Sequence, residues 1–217
     1  MAAYFNLTLD TTAPIISSFL INDGDEITTS TSVTLTIAAT GGPVGMKIWG
    51  VNGAVSESDA SWETYSASKS VVLSGTTDGS YTIYIKVRDA VWNESTQSTA
   101  TITLSTALPT INITGPDVNT ISEVSGKNVA SFSFTSDVAL KAWKVKLVPA
   151  TTSVHTAGTQ MGSTNGSTGM TGTALAKNTA QACTINGSDL AAAAGGTDGT
   201  YIIKVFGQSA VNDLWSA

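Results

Sequence analysis

Charged side chains are scarce in this sequence. They make up 12% of its 217 residues, about half of the usual quarter, and lysine and arginine together number only 10. The formal net charge is −6 and the basic residues form no cluster, so the sequence lacks the electrostatic footprint of a nucleic-acid-binding protein. We therefore expect no nucleic-acid partner, and other anionic partners are disfavoured.

Cysteine and histidine are nearly absent, since Cys183 and His155 are the only ones in the sequence. One cysteine cannot form an internal disulfide, so core packing must stabilise the fold, and we expect Cys183 to be a free thiol in a strand. Together these two residues are too few for a zinc site. The sequence also has no P-loop, dinucleotide-binding fingerprint, zinc-protease motif or nucleophile elbow. It thus predicts a protein that is not an enzyme and has no cofactor.

Long hydrophobic runs are missing as well. No apolar run approaches the roughly 18 residues of a membrane-spanning helix. The first residues lack the basic and apolar regions of a signal peptide. We expect no membrane insertion, and no Sec export of this form of the chain unless a leader has been removed.

Serine and threonine are abundant, at 60 positions, and glycine adds another 20. This composition favours strands and turns over helices, because threonine is branched at Cβ and glycine weakens helices. A short helix is predicted at 188–194, with Ser188 as its N-cap and Gly195 at its end. Alternating apolar and polar residues predict strands at 15–21, 33–38, 45–50, 70–74, 81–88, 99–104, 110–114, 129–135, 140–148, 181–185 and 201–206. In strands 33–38 and 81–88 the odd-numbered residues are expected to face the core.

The two halves of the chain repeat one pattern. The segment from Asp78 to Val87 resembles that from Asp198 to Val205, which is two residues shorter. A repeat of about 95 to 110 residues is too long for a solenoid unit and fits tandem domains. The predicted organisation is an N-terminal strand or arm at 1–13, a first domain at 14–105 and a second at 109–217. Within the second domain, the Thr/Gly-rich stretch 151–178 is expected to be a long exposed loop or a loosely held two-stranded ribbon.

Several turns resemble those of bacterial and phage immunoglobulin-like modules of the Big type. The similar segments are Leu9 to Pro14, Ile21 to Gly24, Asp78 to Tyr81 and Val87 to Asn93. The resemblance is clear over residues 9–104 and looser over 109–217. It implies an all-β protein of two tandem immunoglobulin-like β-sandwich domains.

The resemblance also implies roles for particular residues. Tyr81 and Tyr201 stand where such modules have a tyrosine corner, whose hydroxyl binds backbone. Trp92 stands where the modules usually have glycine, so the hairpin tip is expected to carry an aromatic contact.

Modules of this kind serve as spacers, adhesins and virion ornaments. The resemblance favours a structural or decoration protein of a bacteriophage virion, on the head or tail surface, with adhesion as a further role. Such a protein assembles in the host cytoplasm, and its partners are other virion proteins or copies of itself. The alternative is a secreted bacterial adhesin or carbohydrate-binding module, located outside the cell or on its surface and bound to a host-surface glycan.

Five tryptophans divide into two groups. Trp49 and Trp143 lie in equivalent strands and are expected in the sandwich cores. Trp62, Trp92 and Trp215 lie in loops or hairpin ends. For these three, packing at the edge of the core and contact with a partner remain alternatives, because a tryptophan offers a large rigid contact area.

The two ends of the chain are unequal. The first copy closes with an apolar strand at 100–105, whereas the second copy stops without one. The segment 4–14 parallels 100–109 as strand, short linker and proline, so it looks like the closing strand of a preceding module. Phe5, Leu7 and Leu9 are therefore predicted to form an assembly strand that adds to the sheet of another subunit. The alternatives are that the tail packs within its own chain, or that the chain is a trimmed array.

One acidic cluster, at Asp23, Asp25 and Glu26, raises the question of calcium. Calcium needs several converging oxygens, and the EF-hand spacing is absent. A solvated turn is the favoured interpretation, and no metal site is predicted.

Overall fold

The computed structural model describes residues 5–149, 151–152 and 154–217. The chain divides into two compact units, Met1–Thr106 and Ala107–Ala217. Each unit is an all-β sandwich with a hydrophobic core of its own. The fold class is therefore the predicted one.

The first unit is built from two sheets. The strands are β1 (Ile15–Ile21), β2 (Ile27–Thr28), β3 (Ser32–Thr40), β4 (Gly45–Trp49), β5 (Glu63–Thr64), β6 (Ser68–Val72), β7 (Gly79–Arg88) and β8 (Ser98–Leu104). The strand orders of the two sheets are β1-β3-β6 and β2-β8-β7-β4-β5, in which β2 pairs with β8 in parallel and the other neighbours are antiparallel. This arrangement, with the penultimate strand β7 between the last strand β8 and β4, is immunoglobulin-like.

The core of the first unit follows the alternation in the sequence. In β7 the side chains of Ile83, Ile85 and Val87 are fully buried, as are those of Leu35 and Ile37 in β3. The predicted facing of the odd-numbered residues in these strands is confirmed, although Tyr81 at the start of β7 is only partly buried. Because successive side chains of a strand point to opposite faces, the polar residues between them stay on the outside.

The second unit repeats this plan with fewer strands. The elements are β9 (Ile111–Thr114), β10 (Val129–Ser136), β11 (Leu140–Val148), β12 (Thr159–Gln160), β13 (Thr171–Gly172), β14 (Gln181–Asn186), α1 (Gly187–Ala193) and β15 (Ile202–Ser209). One sheet has the strand order β14-β10-β9. In the other sheet, β11 pairs with β15 along one edge and with β12 and β13 along the opposite edge.

Two predictions made from the sequence of this unit need correction. Ser188 is not the N-cap of α1, because the Asn186 side chain accepts a hydrogen bond from the Ser188 N–H and so caps the helix. The strand predicted at 201–206 also has a different end, since β15 continues its ladder with β11 past Val205 to Ser209. At 8 residues it is shorter than β7, which has 10.

Both predicted tyrosine corners are present. The Tyr81 hydroxyl donates to the carbonyl oxygen of Thr77 over 2.7 Å, and the Tyr201 hydroxyl donates to that of Thr197. Each bond ties the entrance of its strand, β7 or β15, to the turn four residues before the tyrosine. Tyr81 and Tyr201 are therefore equivalent residues of the two units.

The described residues of the stretch 151–178 are mostly exposed, but three of its side chains pack into the core of the second unit. Met161, Met170 and Leu175 are buried in the core of the second unit, while residue 153 lies outside the described residues. The Met161 N–H donates to the carbonyl oxygen of Val145, and the Val145 N–H donates to that of Met170. Isolated apolar residues among glycines and threonines have no periodicity, so the sequence does not reveal this pairing with a distant strand.

A buried carboxylate fastens the same stretch to α1. Asp189 accepts hydrogen bonds from the backbone and side-chain amide groups of Asn165 and from the Ser167 N–H, over 3.0 to 3.2 Å. Burial alone would raise the pKa of Asp189, but these hydrogen bonds outweigh it and lower that pKa below its usual value.

Replacing Val87 by aspartate should unfold the first unit, because it would leave an unpaired charge in the core. We expect a loss of about 4 kcal/mol or more. Thr82→Asp, on the outer face of the same strand, is the matched control and should cost less than about 1 kcal/mol. Circular dichroism melts of both variants decide the matter, and equal melting curves would contradict the inward register of β7.

Replacing Gly172 by alanine should destabilise the second unit. A Cβ at this position would lie 1.9 Å from Cζ2 of Trp143, so the indole or β13 must move. The expected cost is about 1 to 3 kcal/mol, as for other overpacked cores. Gly162→Ala is the control, because the nearest atom to its Cβ, Oδ1 of Asp189, is 3.6 Å away. Urea unfolding that gives both variants the same midpoint would show that β13 does not pack on Trp143.

Candidate partner-binding sites

The hairpin tip that follows β7 is organised by one carboxylate. Asp89 accepts hydrogen bonds from the Val91 N–H and from both the backbone and side-chain amides of Asn93, over 2.9 to 3.0 Å. Burial alone would raise the pKa of Asp89, but these bonds and one from the Trp92 backbone lower it below its ordinary value. The same bonds hold Trp92 at a φ of 75°, a left-handed conformation that costs energy in a bulky residue.

The hairpin tip carries a stack of two indoles and one guanidinium. The Arg88 guanidinium carbon lies 4.4 Å from the ring centroid of Trp62 and 4.3 Å from that of Trp92. Each contact has the geometry of a cation–π interaction. Trp62 is half-buried, whereas Trp92 is 71% exposed. We call Trp62, Arg88 and Trp92 the Trp–Arg–Trp stack.

Trp215 lies in the second unit with different neighbours. Its indole stacks on the His155 ring, with centroids 4.4 Å apart and planes 12° apart, and Lys144 Nζ lies 4.4 Å from its ring centroid. Burial, with the positive charges of Lys144 and Lys146, lowers the pKa of His155. The structure therefore brings two of the three predicted contact tryptophans together and places Trp215 in a separate cluster.

The two tryptophans expected in the cores are buried. Trp49 is 5% exposed but lies outside the core cluster of the first unit. It pairs with Tyr84 on the face of the sheet opposite the core and stacks on that ring with centroids 5.5 Å apart, so its predicted place in the core is wrong. Trp143 is 8% exposed and meets Phe134 edge to face, with centroids 6.0 Å apart. Neither is available as a surface contact.

The acidic residues 23, 25 and 26 belong to the exposed turn after β1. Asp23 accepts a hydrogen bond from the Thr36 hydroxyl over 2.8 Å, and Asn22 accepts one from the Thr34 N–H. Across the part of the chain that the structure describes, no three histidine, cysteine, aspartate or glutamate side chains come close enough to hold a metal ion. Within that same part, no helix is long and apolar enough to cross a membrane.

The N-terminal segment is largely exposed where it is described. Residues 5–14 form no strand, and Phe5, Leu7 and Leu9 are 85 to 87% exposed, while residues 1–4 lie outside the described residues. One hydrogen bond, from the Asn93 side-chain amide to the carbonyl oxygen of Asp10 over 3.3 Å, links this segment to the hairpin tip. The segment therefore presents three alternating apolar side chains to solvent.

The second unit contains a cavity, lined by both polar and apolar groups, that sequence reasoning missed. Its volume is about 620 Å³, and its walls come from the β9–β10 region, α1 and the start of β15. Among the described residues, β15 forms a ladder with β11 and a bridge to Trp215, and no strand lies along its outer edge near the cavity. Apolar side chains that line this space include Ile121, Phe132, Ile185, Leu190 and Ile203.

Comparison with known proteins finds no family model and no curated protein that matches this chain. Solved structures are similar at low identity. The fibronectin(III)-like modules of Clostridium thermocellum CbhA match at 12% identity and a TM-score of 0.43, over 92% of this chain and 90% of theirs. The D00-D0 domain of intimin matches at 11% identity and a TM-score of 0.37, over 92% of this chain and 97% of that domain.

A chitinase is also similar over part of its length. Chitinase ChiA74 from Bacillus thuringiensis matches at 15% identity and a TM-score of 0.34 over 91% of this chain, which spans 30% of the chitinase chain. TM-scores this low carry no argument, so the immunoglobulin-like assignment rests on the strand order and register described above.

Replacing Asp89 by alanine should loosen the hairpin tip and lower the melting temperature of the first unit at neutral pH. Because the folded-state pKa of Asp89 is lowered, its stabilisation is present above the unfolded pKa of about 3.9 and is lost as the pH falls through the folded value. The difference in melting temperature between wild type and variant should therefore shrink in acid. Asp25→Ala, in the exposed turn after β1, is the control. A difference that grows in acid would contradict the assignment.

Proposed function

We propose that this chain is a non-enzymatic structural or decoration protein of a bacteriophage virion, exposed on the head or tail surface. The observation that supports a role in binding a partner is the Trp–Arg–Trp stack. Trp92 is 71% exposed, and both Arg88 and the hydrogen bonds of Asp89 hold its hairpin in place. An exposed indole on a rigid support loses little entropy on binding and provides a large contact area, as at many protein interfaces.

The ionisable groups of the described residues support a role other than catalysis. Burial raises the pKa of the Cys183 thiol to about 11, so the reactive thiolate is scarce at neutral pH. The carboxylates of Asp89 and Asp189 accept hydrogen bonds from turns and have structural tasks. The Lys146 ammonium donates to the carbonyl oxygen of His155 over 3.0 Å.

The second candidate function is that of a secreted adhesin or carbohydrate-binding module. The observation that favours it is also at Trp92, since Arg88 stacks on its ring while most of the side chain stays exposed. An aromatic face held in this way is suited to stacking on the apolar face of a sugar ring. In this case the partner is a glycan on a host surface.

Gold-labelled antibodies raised against the chain separate the two proposals in electron micrographs of a culture of the producing bacterium. Label on the heads or tails of phage particles is the expected result. Label confined to bacterial surfaces or secreted material would favour the adhesin. Label on neither would contradict both.

Glycan binding is tested directly with Trp92→Ala. If the second candidate is correct, the full chain binds members of a glycan array, and Trp92→Ala loses that binding while its melting temperature changes little. Trp215→Ala serves as the control, because Trp215 lies in the other unit against His155 and Lys144. Absence of binding by the wild-type chain, or full binding by Trp92→Ala, would rule out a sugar site at the stack.

A further inference from the structure

We infer that the outer face of β11 and β15 binds a tetrahedral dianion, which is a phosphate group or a sulfate ion. The groups that bind it are Lys144, Lys146, Lys204 and His155, and we call them the basic cluster. All four belong to the second unit. The site goes beyond the proposed function and applies equally to a virion protein and to an adhesin.

Strand geometry places the three lysines on one face of the sheet. Lys144 and Lys146 are two residues apart on β11, so their side chains leave the same face, while Val145 between them is fully buried in the core. Lys204 of β15 lies directly opposite Lys146 in the ladder. It also points away from the core, because its neighbour Val205 is a core residue. The sequence does not reveal this cluster, since the ladder joins distant strands.

No carboxylate offsets these charges among the residues that the structure describes, since every ion pair there involves another lysine. Like charges directly opposite each other in a ladder destabilise a sheet. The ammonium groups donate instead to backbone carbonyl oxygens, Lys146 to that of His155 over 3.0 Å and Lys204 to that of Thr152. A carbonyl oxygen satisfies a donor but has no net charge, so the cluster remains positive.

Lys146 shows most clearly that a counter-charge is missing. It is only 6% exposed, although lysine is almost never buried unless it is paired. Burial and the positive charge of Lys144 lower the pKa of Lys146, which shows that its surroundings disfavour the charged form. An anion bound beside these lysines would lower the free-energy cost of burying this charge.

His155 borders the lysines and is held in place by Trp215. Its ring stacks on the indole, and Lys144 Nζ lies 4.4 Å from the centroid of the same indole ring. Burial and the charges of Lys144 and Lys146 lower the pKa of His155, so the imidazole is neutral at neutral pH. A neighbouring anion favours its protonated form, which has two N–H donors instead of one. Anion binding is therefore expected to be coupled to proton uptake by His155.

The charge of the basic cluster selects the ligand. Three ammonium groups match a dianion with several acceptor oxygens better than a carboxylate, which has a single charge. The net charge of −6 disfavours anionic partners in general, but salt screens exposed charges beyond about 8 Å, so the nearby charges dominate. The three lysines are 3 of the 10 basic residues of the chain. The phosphate group can be the free ion or part of a sugar phosphate.

Proton NMR of the full chain tests the site, because His155 is its only histidine. Sulfate is the probe, since it does not titrate near the pKa of histidine. At an ionic strength kept constant with sodium chloride, sulfate should shift the imidazole signals in a saturable way. It should also raise the His155 pKa by about 0.5, which corresponds to about threefold tighter binding to the protonated form. Acetate, with one charge, should have little effect. A titration in sulfate identical to that in chloride, or an equal effect of acetate, would overturn the inference.

Matched lysine variants locate the site. Lys144→Gln and Lys204→Gln each remove one charge from a half-buried position and should weaken sulfate binding about three- to tenfold. Lys127→Gln removes the same charge from an exposed turn and should bind sulfate like the wild type. Circular dichroism checks the fold, and each lysine of the cluster is tested separately, so one folded variant suffices. Unchanged affinity in that variant, or an equal loss in Lys127→Gln, would overturn the inference.

Calorimetric titration at neutral pH distinguishes the two sources of the phosphate group. Inorganic phosphate and glucose 6-phosphate are the probes, and Lys144→Gln should weaken the binding of both. Tighter binding of glucose 6-phosphate would identify a sugar phosphate as the ligand, whereas equal or weaker binding would identify the free ion, and both results support the site. Absence of binding by either probe, or binding that Lys144→Gln leaves unchanged, would overturn the inference.

Discussion

Pairing of the penultimate strand on both edges is the constraint on which the sandwich of the first unit depends. β7 lies between β4 and β8, and this position buries Ile83, Ile85 and Val87 completely. An unpaired edge exposes backbone N–H and C=O groups and leaves the adjoining core without side chains on one side. In the second unit β15 is paired with β11 but has no ladder on its outer edge among the described residues, and a cavity of about 620 Å³ is lined in part by the start of β15.

Scarce charges are used mainly to fasten irregular backbone. Asp89 holds the hairpin tip, Asp189 holds the turn at Asn165, and Asp137 accepts a hydrogen bond from the Thr110 N–H over 2.8 Å. For Asp89 and Asp189, hydrogen bonds outweigh the cost of burial and lower the pKa of the carboxyl. The strands have many hydroxyl groups on their outer surface, whereas these carboxylates lie at turns where several N–H groups converge.

The candidate contact site was only partly predictable. Tryptophans in hairpin ends can be named from the sequence, but the placement of Arg88 between Trp62 and Trp92 depends on two loops and a strand end that meet in space. The separation of Trp215 from that stack, and its contact with His155, likewise depend on the path of a glycine-rich segment. Local sequence patterns contain no information on such long-range neighbours.

Alternation of apolar residues by itself determined the strands and the inward faces of β3 and β7, because a period of two assigns every residue of a strand to a face. The position of Tyr81 and Tyr201 just after a turn likewise predicted the two tyrosine corners. The distance to the following proline made residues 5–9 similar in sequence pattern to β8. Only the tertiary structure decided that Met161, Met170 and Leu175 are core residues, and that a cavity of about 620 Å³ lies in the second unit. The physical reason is that burial of isolated side chains, and the space left between two sheets, depend on which distant strands pair.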